Sequence, residues 1–169
     1  MRVRLRRLLR FALSGLIVGA VALQFVRPAK TNPVTQPDRS IQAHTQMPAD
    51  VTGILKRACA DCHSNETTWP WYSNVAPVSW FVIDHVNHGR KHLNLSEWTP
   101  ENQSSVMTQD HHLAEIYEEV KSNRMPLSSY TLMHPEARLG TEEKERLCKW
   151  VIDERRRITE EQLHAGDSH

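Results

Sequence analysis

Two cysteines three residues apart with a histidine directly after the second, Cys59-Ala60-Asp61-Cys62-His63, constrain this chain more than any other stretch. The spacing C-x-x-C-H is the attachment signature of c-type haem. Each thiol can close a thioether to a haem vinyl group, and the residue that follows sets an imidazole under the iron as an axial ligand. A chain organised by this motif folds around a flat apolar macrocycle, which stands in for much of the core that a small domain would otherwise need.

The first thirty residues bear on compartment. Arg2, Arg4, Arg6, Arg7 and Arg10 form a basic flank, and Phe11 to Val26 then runs sixteen residues without a charge, closed by Arg27 and Pro28. As a helix at about 1.5 Å per residue this run reaches roughly 24 Å, slightly short of a bilayer core of about 30 Å. Leu8 and Leu9 extend it if Arg10 snorkels. Residues 1–27 are therefore expected to be an N-terminal membrane anchor (one transmembrane helix) or a signal sequence cut after Ala20-Val21-Ala22, which has the small-x-small form. The anchor is preferred because Phe25 and Val26 carry the apolar run past that point. Arginine-rich flanks stay inside. The expectation is thus a single-pass protein of the cytoplasmic (inner) membrane with its haem domain on the periplasmic, extracytoplasmic side, where cytochromes c receive haem.

Charge divides at the same place. Residues 1–30 hold seven basic residues and no acid, whereas residues 31–169 hold 14 basic residues against 20 acidic ones. The overall +1 conceals this split. An acidic domain argues against nucleic-acid binding and favours a basic redox partner. Cys148, the third cysteine, falls in a helical pattern and reads as a buried apolar residue.

Four prolines between residues 28 and 48 (Pro28, Pro33, Pro37 and Pro48) among Thr, Asn, Gln and Ser read as an extended linker. Residues 49–158 form one small domain and 159–169 a polar tail. No long period-two pattern occurs, and helical spacing dominates. Asp50 is expected to cap a helix through Ile54 and Leu55 into the motif. Pro77 starts another with its stripe at Val78, Phe81, Val82 and Val86, ended or loosened at Gly89. Thr99-Pro100-Glu101 reads as a cap with proline at the first helical position. Asp110 caps a helix carrying Leu113, Ile116, Tyr117 and Val120. Thr141-Glu142-Glu143 opens the last, with acids at its start and Arg155 to Arg157 near its end, as the helix dipole favours. The fold class is all-α, a small cytochrome c-like helical domain around covalently bound haem.

Candidate pocket residues cluster after the motif. Trp69, Trp71, Tyr72 and Trp80 fall within twelve residues in a chain with 7% aromatics. Flat rings can line a porphyrin, and their N–H or O–H groups can bind a propionate. A carbonyl of Pro70 or Pro77 is a candidate acceptor for the ring N–H of His63, a bond that would orient the imidazole. The opposite iron ligand needs a thioether or a second imidazole. Met125, followed by Pro126 in a loop between two helices, leads; Met133 and His134 are the alternatives, with Met47 before the domain and Met107 in the core. His85, His88 and His92 share one side of a helix and read as a polar surface ahead of a metal site or haem ligand. His111-His112 reads as a solvated helix start.

Taken together these stretches resemble the small bacterial haem-binding domain proteins, a cytochrome c-like family. The matching text is Cys59-Ala-Asp-Cys62-His63-Ser-Asn-Glu-Thr, Trp69-Pro-Trp-Tyr-Ser and Ala76-Pro-Val-Ser-Trp80. It continues through His85-Val, Gly89-Arg90, Leu93-Asn-Leu-Ser-Glu-Trp98, Met125-Pro126, Tyr130 and His134-Pro-Glu-Ala137, and begins at Gln24-Phe25-Val26-Arg27-Pro28. The resemblance implies one haem held covalently by Cys59 and Cys62, with His63 as its proximal iron ligand.

The function expected is a membrane-anchored monohaem cytochrome c that passes electrons between redox proteins outside the cytoplasm and is not itself an enzyme. Its cofactor-binding set is Cys59, Cys62, His63, Trp69, Trp71, Tyr72 and Met125. A five-coordinate haem domain that senses a gas or reduces peroxide is the alternative. A thiol–disulfide or zinc role for the cysteines is disfavoured, because no βαβ pattern and no second ligand pair accompany them.

Overall fold

The chain is all-helical over the residues that the computed structural model describes, 2–98 and 106–166, with no strand among them. In order come α1 (Arg2–Leu23), α2 (Ile41–His44), α3 (Ala49–Ala58), α4 (Ala60–His63), α5 (Val78–His92), α6 (Val106–Lys121), α7 (Ser128–Met133) and α8 (Thr141–Gly166). Single 3-10 turns at Pro37–Arg39, Trp71–Asn74 and Pro135–Ala137 fill the longer connections.

Helices α3, α6 and α8 build the core because each carries apolar residues three and four apart. Val51, Ile54 and Leu55 of α3, Leu113, Ile116 and Val120 of α6, and Leu147, Trp150, Val151 and Ile158 of α8 are all buried in one cluster. Spacing of this kind places side chains on one face. Among the described residues Glu154 is the one buried acid. Arg157 reaches both of its carboxylate oxygens at 3.1 Å through Nε, and the amide of Gln46 donates to it at 3.2 Å. Trp150 returns a bond to the Gln46 carbonyl at 3.1 Å.

The apolar N-terminal run is shorter as a helix than as a sequence, and this corrects the membrane expectation. No helix among the described residues is long and apolar enough to cross a membrane. Helix α1 stops at Leu23, so the uncharged helical stretch from Phe11 gives roughly 20 Å at about 1.5 Å per residue, against about 30 Å for a bilayer core. Gln24 and Val26 are used elsewhere. The Gln24 amide donates to the Ala76 carbonyl at 3.1 Å while the Ala76 amide donates back at 3.0 Å. Trp80 donates its indole N–H to the Val26 carbonyl at 2.7 Å. The transmembrane helix, and with it single-pass placement in the inner membrane, is therefore not supported.

Residues 28–48, expected to be a linker, are tied to the domain at several points. Asn32 donates to the Thr67 carbonyl at 2.9 Å, and its own side-chain oxygen accepts from Trp69 at 3.1 Å and from Arg90 at 2.9 Å. Further on, Ile41 is completely buried and its amide donates to Leu95 at 2.8 Å. The proline-rich segment thus forms a strap bonded to the domain at these residues.

Several helix boundaries differ from expectation for identifiable reasons. Helix α6 begins at Val106, leaving Asp110 inside it, where its carboxylate takes two bonds from Arg155 at 2.6 and 3.0 Å in place of a capping role. Met107, assigned to the core, is 81% exposed at the start of that helix. The expected Thr99-Pro100-Glu101 cap lies outside the described residues. His112, read as solvated, packs its ring against buried Trp98 at 5.7 Å. Helix α8 runs through Ile158 to Gly166, taking in most of the polar tail.

Because Ile41 fixes the strap inside the core, Ile41→Ala is expected to destabilise the domain by about 2–5 kcal/mol. Urea unfolding followed by far-ultraviolet circular dichroism measures this. A loss below about 1 kcal/mol would place the strap outside the cooperative unit.

Candidate haem site

The motif spans two helices that meet at a bend. Helix α3 ends at Ala58, Cys59 breaks it with φ −125°, and Ala60–His63 makes one further turn whose last amide donates to the Cys59 carbonyl at 2.9 Å. This turn brings Cys59, Cys62 and His63 to the wall of one cleft. All three cysteines of the chain are free thiols. Burial pushes the Cys59 thiol up to about 12 and the Cys62 thiol up to about 11, the second helped by the neighbouring Asp61 carboxylate. Thiolate chemistry at neutral pH is correspondingly disfavoured.

His63 is oriented by α5. Its Nδ1 lies 3.0 Å from the Leu93 carbonyl, to which it donates, and this leaves Nε2 as the lone-pair nitrogen. Burial lowers its pKa, so the ring stays neutral. A neutral imidazole with Nδ1 committed to a backbone carbonyl is the arrangement that metal-ligating histidines adopt. The acceptor is not one of the carbonyls expected. Pro70 O takes bonds from Ser73, and Pro77 O takes one from the Trp80 amide. Leu93 instead opens a turn locked onto the motif. Leu95 N donates to His63 O at 2.7 Å, Asn94 bonds Asn65 at 2.9 Å, and Ser96 Oγ accepts the Asn65 amide at 3.1 Å.

Gly89 makes this contact between α4 and α5 possible. A Cβ at this position would come within 2.5 Å of the Cys62 carbonyl oxygen. The glycine does not end α5, which continues to His92; it lets the helix lie directly on the motif backbone. One residue on, Arg90 donates to Ser64 O at 2.7 Å and to Thr67 Oγ1 at 2.7 Å while reaching the strap through Thr31 O and Asn32.

The cleft has a volume of about 410 Å³ and is mainly apolar, with Leu55, Ala58, Leu95, Ile116 and Val120 beside the motif. Met125 and Pro126 line it too. A second chamber of about 340 Å³ adjoins it through Cys62, His85, Leu127 and Tyr130, and Trp71, Tyr72, Phe81 and Met133 lie in its wall. Clefts of roughly 300–1,000 Å³ with few polar groups suit cofactors and small ligands. Two free thiols, a neutral imidazole and a thioether around such a space form a donor set that fits haem.

The other candidates divide. Met125 is in the same cleft as His63, whereas Met133 is in the second chamber only. His134 is engaged elsewhere: its Nε2 is 2.8 Å from the Tyr72 hydroxyl and its Nδ1 is 3.1 Å from Glu136. Trp69 faces the strap through Asn32 and lines neither chamber, while Trp71 and Tyr72 line the second. His85, His88 and His92, read as a polar surface, line the main cleft opposite Glu115 and Glu119. Their spacing of three and four was visible in the sequence, but the packing of α5 at Gly89, which turns that side toward the cleft, was not. No group of three or more His, Cys, Asp or Glu side chains among the described residues is arranged to hold a metal ion by itself.

The fold and site together define a helical haem-binding domain. The family model for the haem-binding domain matches residues 18–153, and the chain belongs to that family. No curated protein and no solved structure matches it.

Gly89→Ala must force α5 away from Cys62, since the obstructing atom is backbone. A destabilisation of about 1–3 kcal/mol is expected from such overpacking, accompanied by a lower yield of haem-loaded protein. Unaltered denaturation and haem content would show that the two helices can separate without consequence.

Proposed function

We propose that this protein is a monohaem c-type cytochrome that carries single electrons between redox proteins. Cys59 and Cys62 would attach the haem, and His63 and Met125 would be the residues that ligate its iron. When bound, haem supplies an iron that takes up and gives back one electron. The observation that carries this reading is that four residues able to hold haem, Cys59, Cys62, His63 and Met125, line one mainly apolar cleft, with both thiols free and His63 Nδ1 committed to the Leu93 carbonyl.

The chain's own groups have separable tasks. The Leu93 carbonyl holds the His63 ring and strengthens it as a donor. The apolar wall excludes water, and a methionine opposite the histidine raises the reduction potential relative to two imidazoles. The acid-rich balance of residues 31–169 suits a partner with a basic docking face. Nothing in this reading requires the protein to transform a substrate. A second reading, a five-coordinate haem that binds a gas or reduces peroxide, draws support from His85, His88 and His92 in the cleft wall.

The test begins with protein matured in a host that attaches haem c. Colour that stays with the polypeptide through acid–acetone extraction, and the pyridine spectrum of a two-thioether haem, are the expected results; a colourless chain beside a correctly matured control would end the covalent reading. His63→Ala should abolish assembly. Met125→Ala should erase the sulfur-to-iron charge-transfer band and open the ferrous protein to carbon monoxide, which the unaltered protein resists. Persistence of the band in Met125→Ala would transfer the sulfur ligand to Met133, and rapid carbon monoxide binding by the unaltered protein would favour the five-coordinate reading.

A further inference from the structure

Met125 reaches the cleft from a loop that is fastened firmly at one end only. On its N-terminal side, α6 closes with Asn123 at φ 59°, the Arg124 amide bonded to Glu119 O at 3.0 Å and the Asn123 amide to Val120 O at 3.1 Å, a Schellman ending. The Met125 amide adds a bond to the same Glu119 carbonyl at 3.1 Å. On the C-terminal side stands α7, only six residues long and without a buried residue. A helix this short has little stability of its own, so side-chain ties decide where it sits.

Tyr130 provides the tie that reaches the haem motif. Its hydroxyl donates to Asp61 Oδ2 at 2.7 Å, and its ring stacks on His134 with centroids 4.4 Å apart. Asp61 lies between the two cysteines and is itself immobilised: Oδ1 accepts the Thr68 amide at 2.9 Å and the Asp61 carbonyl accepts from Thr67 Oγ1 at 2.6 Å. Tyr130 also lines both chambers of the cleft. We propose that the Asp61–Tyr130 hydrogen bond is a latch that holds the Met125 loop closed over the cleft, making both residues positioning residues for the methionine. The inference rests on Met125 as the iron ligand and adds that a spacer residue of the C-x-x-C-H motif controls that ligand's residence.

The latch predicts how often the methionine leaves. Hydrogen bonds to a charged acceptor are among the stronger ones, and the loss of this one is expected to speed carbon monoxide binding to the reduced holoprotein about tenfold or more. Tyr130→Phe keeps the ring and its stacking on His134 and removes only the donor. Asp61→Ala removes the acceptor. Asp61→Asn retains an oxygen for the Thr68 amide and an N–H₂ that can donate to the Tyr130 oxygen, so it should restore slow binding relative to Asp61→Ala. The Tyr130→Phe/Asp61→Ala double variant should bind no faster than Asp61→Ala alone, because the Tyr130 change then has no bond left to break. Stopped-flow mixing with carbon monoxide and the charge-transfer band of the oxidised protein read these outcomes, with Met125→Ala as the fully open limit. If Met125→Ala opens the site while Tyr130→Phe and Asp61→Ala bind at the unaltered rate, the latch is wrong and the ligand assignment stands. If Met125→Ala itself changes nothing, both fall.

Discussion

Helix α5 rests directly on the peptide backbone of the haem motif, and most of the site depends on that contact. At Gly89 the helix comes so near Cys62 that no side chain fits between them. The approach delivers three things at once. It places the Leu93 carbonyl against His63 Nδ1, it brings Arg90 onto Ser64 and Thr67, and it turns His85, His88 and His92 to the cleft. Burial supplies the energy elsewhere, in the α3–α6–α8 cluster. What the glycine supplies is registration: a shift of α5 along or away from α4 would misplace the carbonyl that selects the tautomer of the ligand histidine.

Much of this was legible in the sequence because the relevant signals are local. The motif, the helical spacing of the core residues, the proline before α5 and the loop methionine with its proline each depend on neighbours within a few positions. The signals that failed are those settled by distant partners. The prolines of residues 28–48 look alike whether the chain floats or follows a surface; only Asn32, Ile41 and their partners on the domain decide it. The sixteen-residue apolar run reads locally as one helix, yet its last residues lie beyond α1 and bond to Ala76 and Trp80. Glycine is a weak helix former, so locally Gly89 reads as a residue that ends or loosens its helix, whereas α5 continues to His92 and the close approach to Cys62 requires the glycine. The carbonyl partner of His63 is Leu93, thirty residues on, and not a proline near in sequence.

The aromatic segment after the motif shows how one composition serves several ends. Trp69 fastens the strap, Trp71 and Tyr72 stand in the second chamber, and Trp80 binds the backbone just beyond α1. Tyr72, His134 and Glu136 form a polar chain at the same edge. Residues grouped in the sequence as one porphyrin wall are thus divided between cleft and scaffold.

Arg90 deserves a last consideration for what it makes inseparable. Its guanidinium holds Thr31 and Asn32 of the strap with the same fork that holds Ser64 and Thr67 beside the motif. The strap's docking place at Thr31 and Asn32 therefore exists only where α5 lies on the motif, so strap and haem motif hang on one side chain and a change at Arg90 loosens both together.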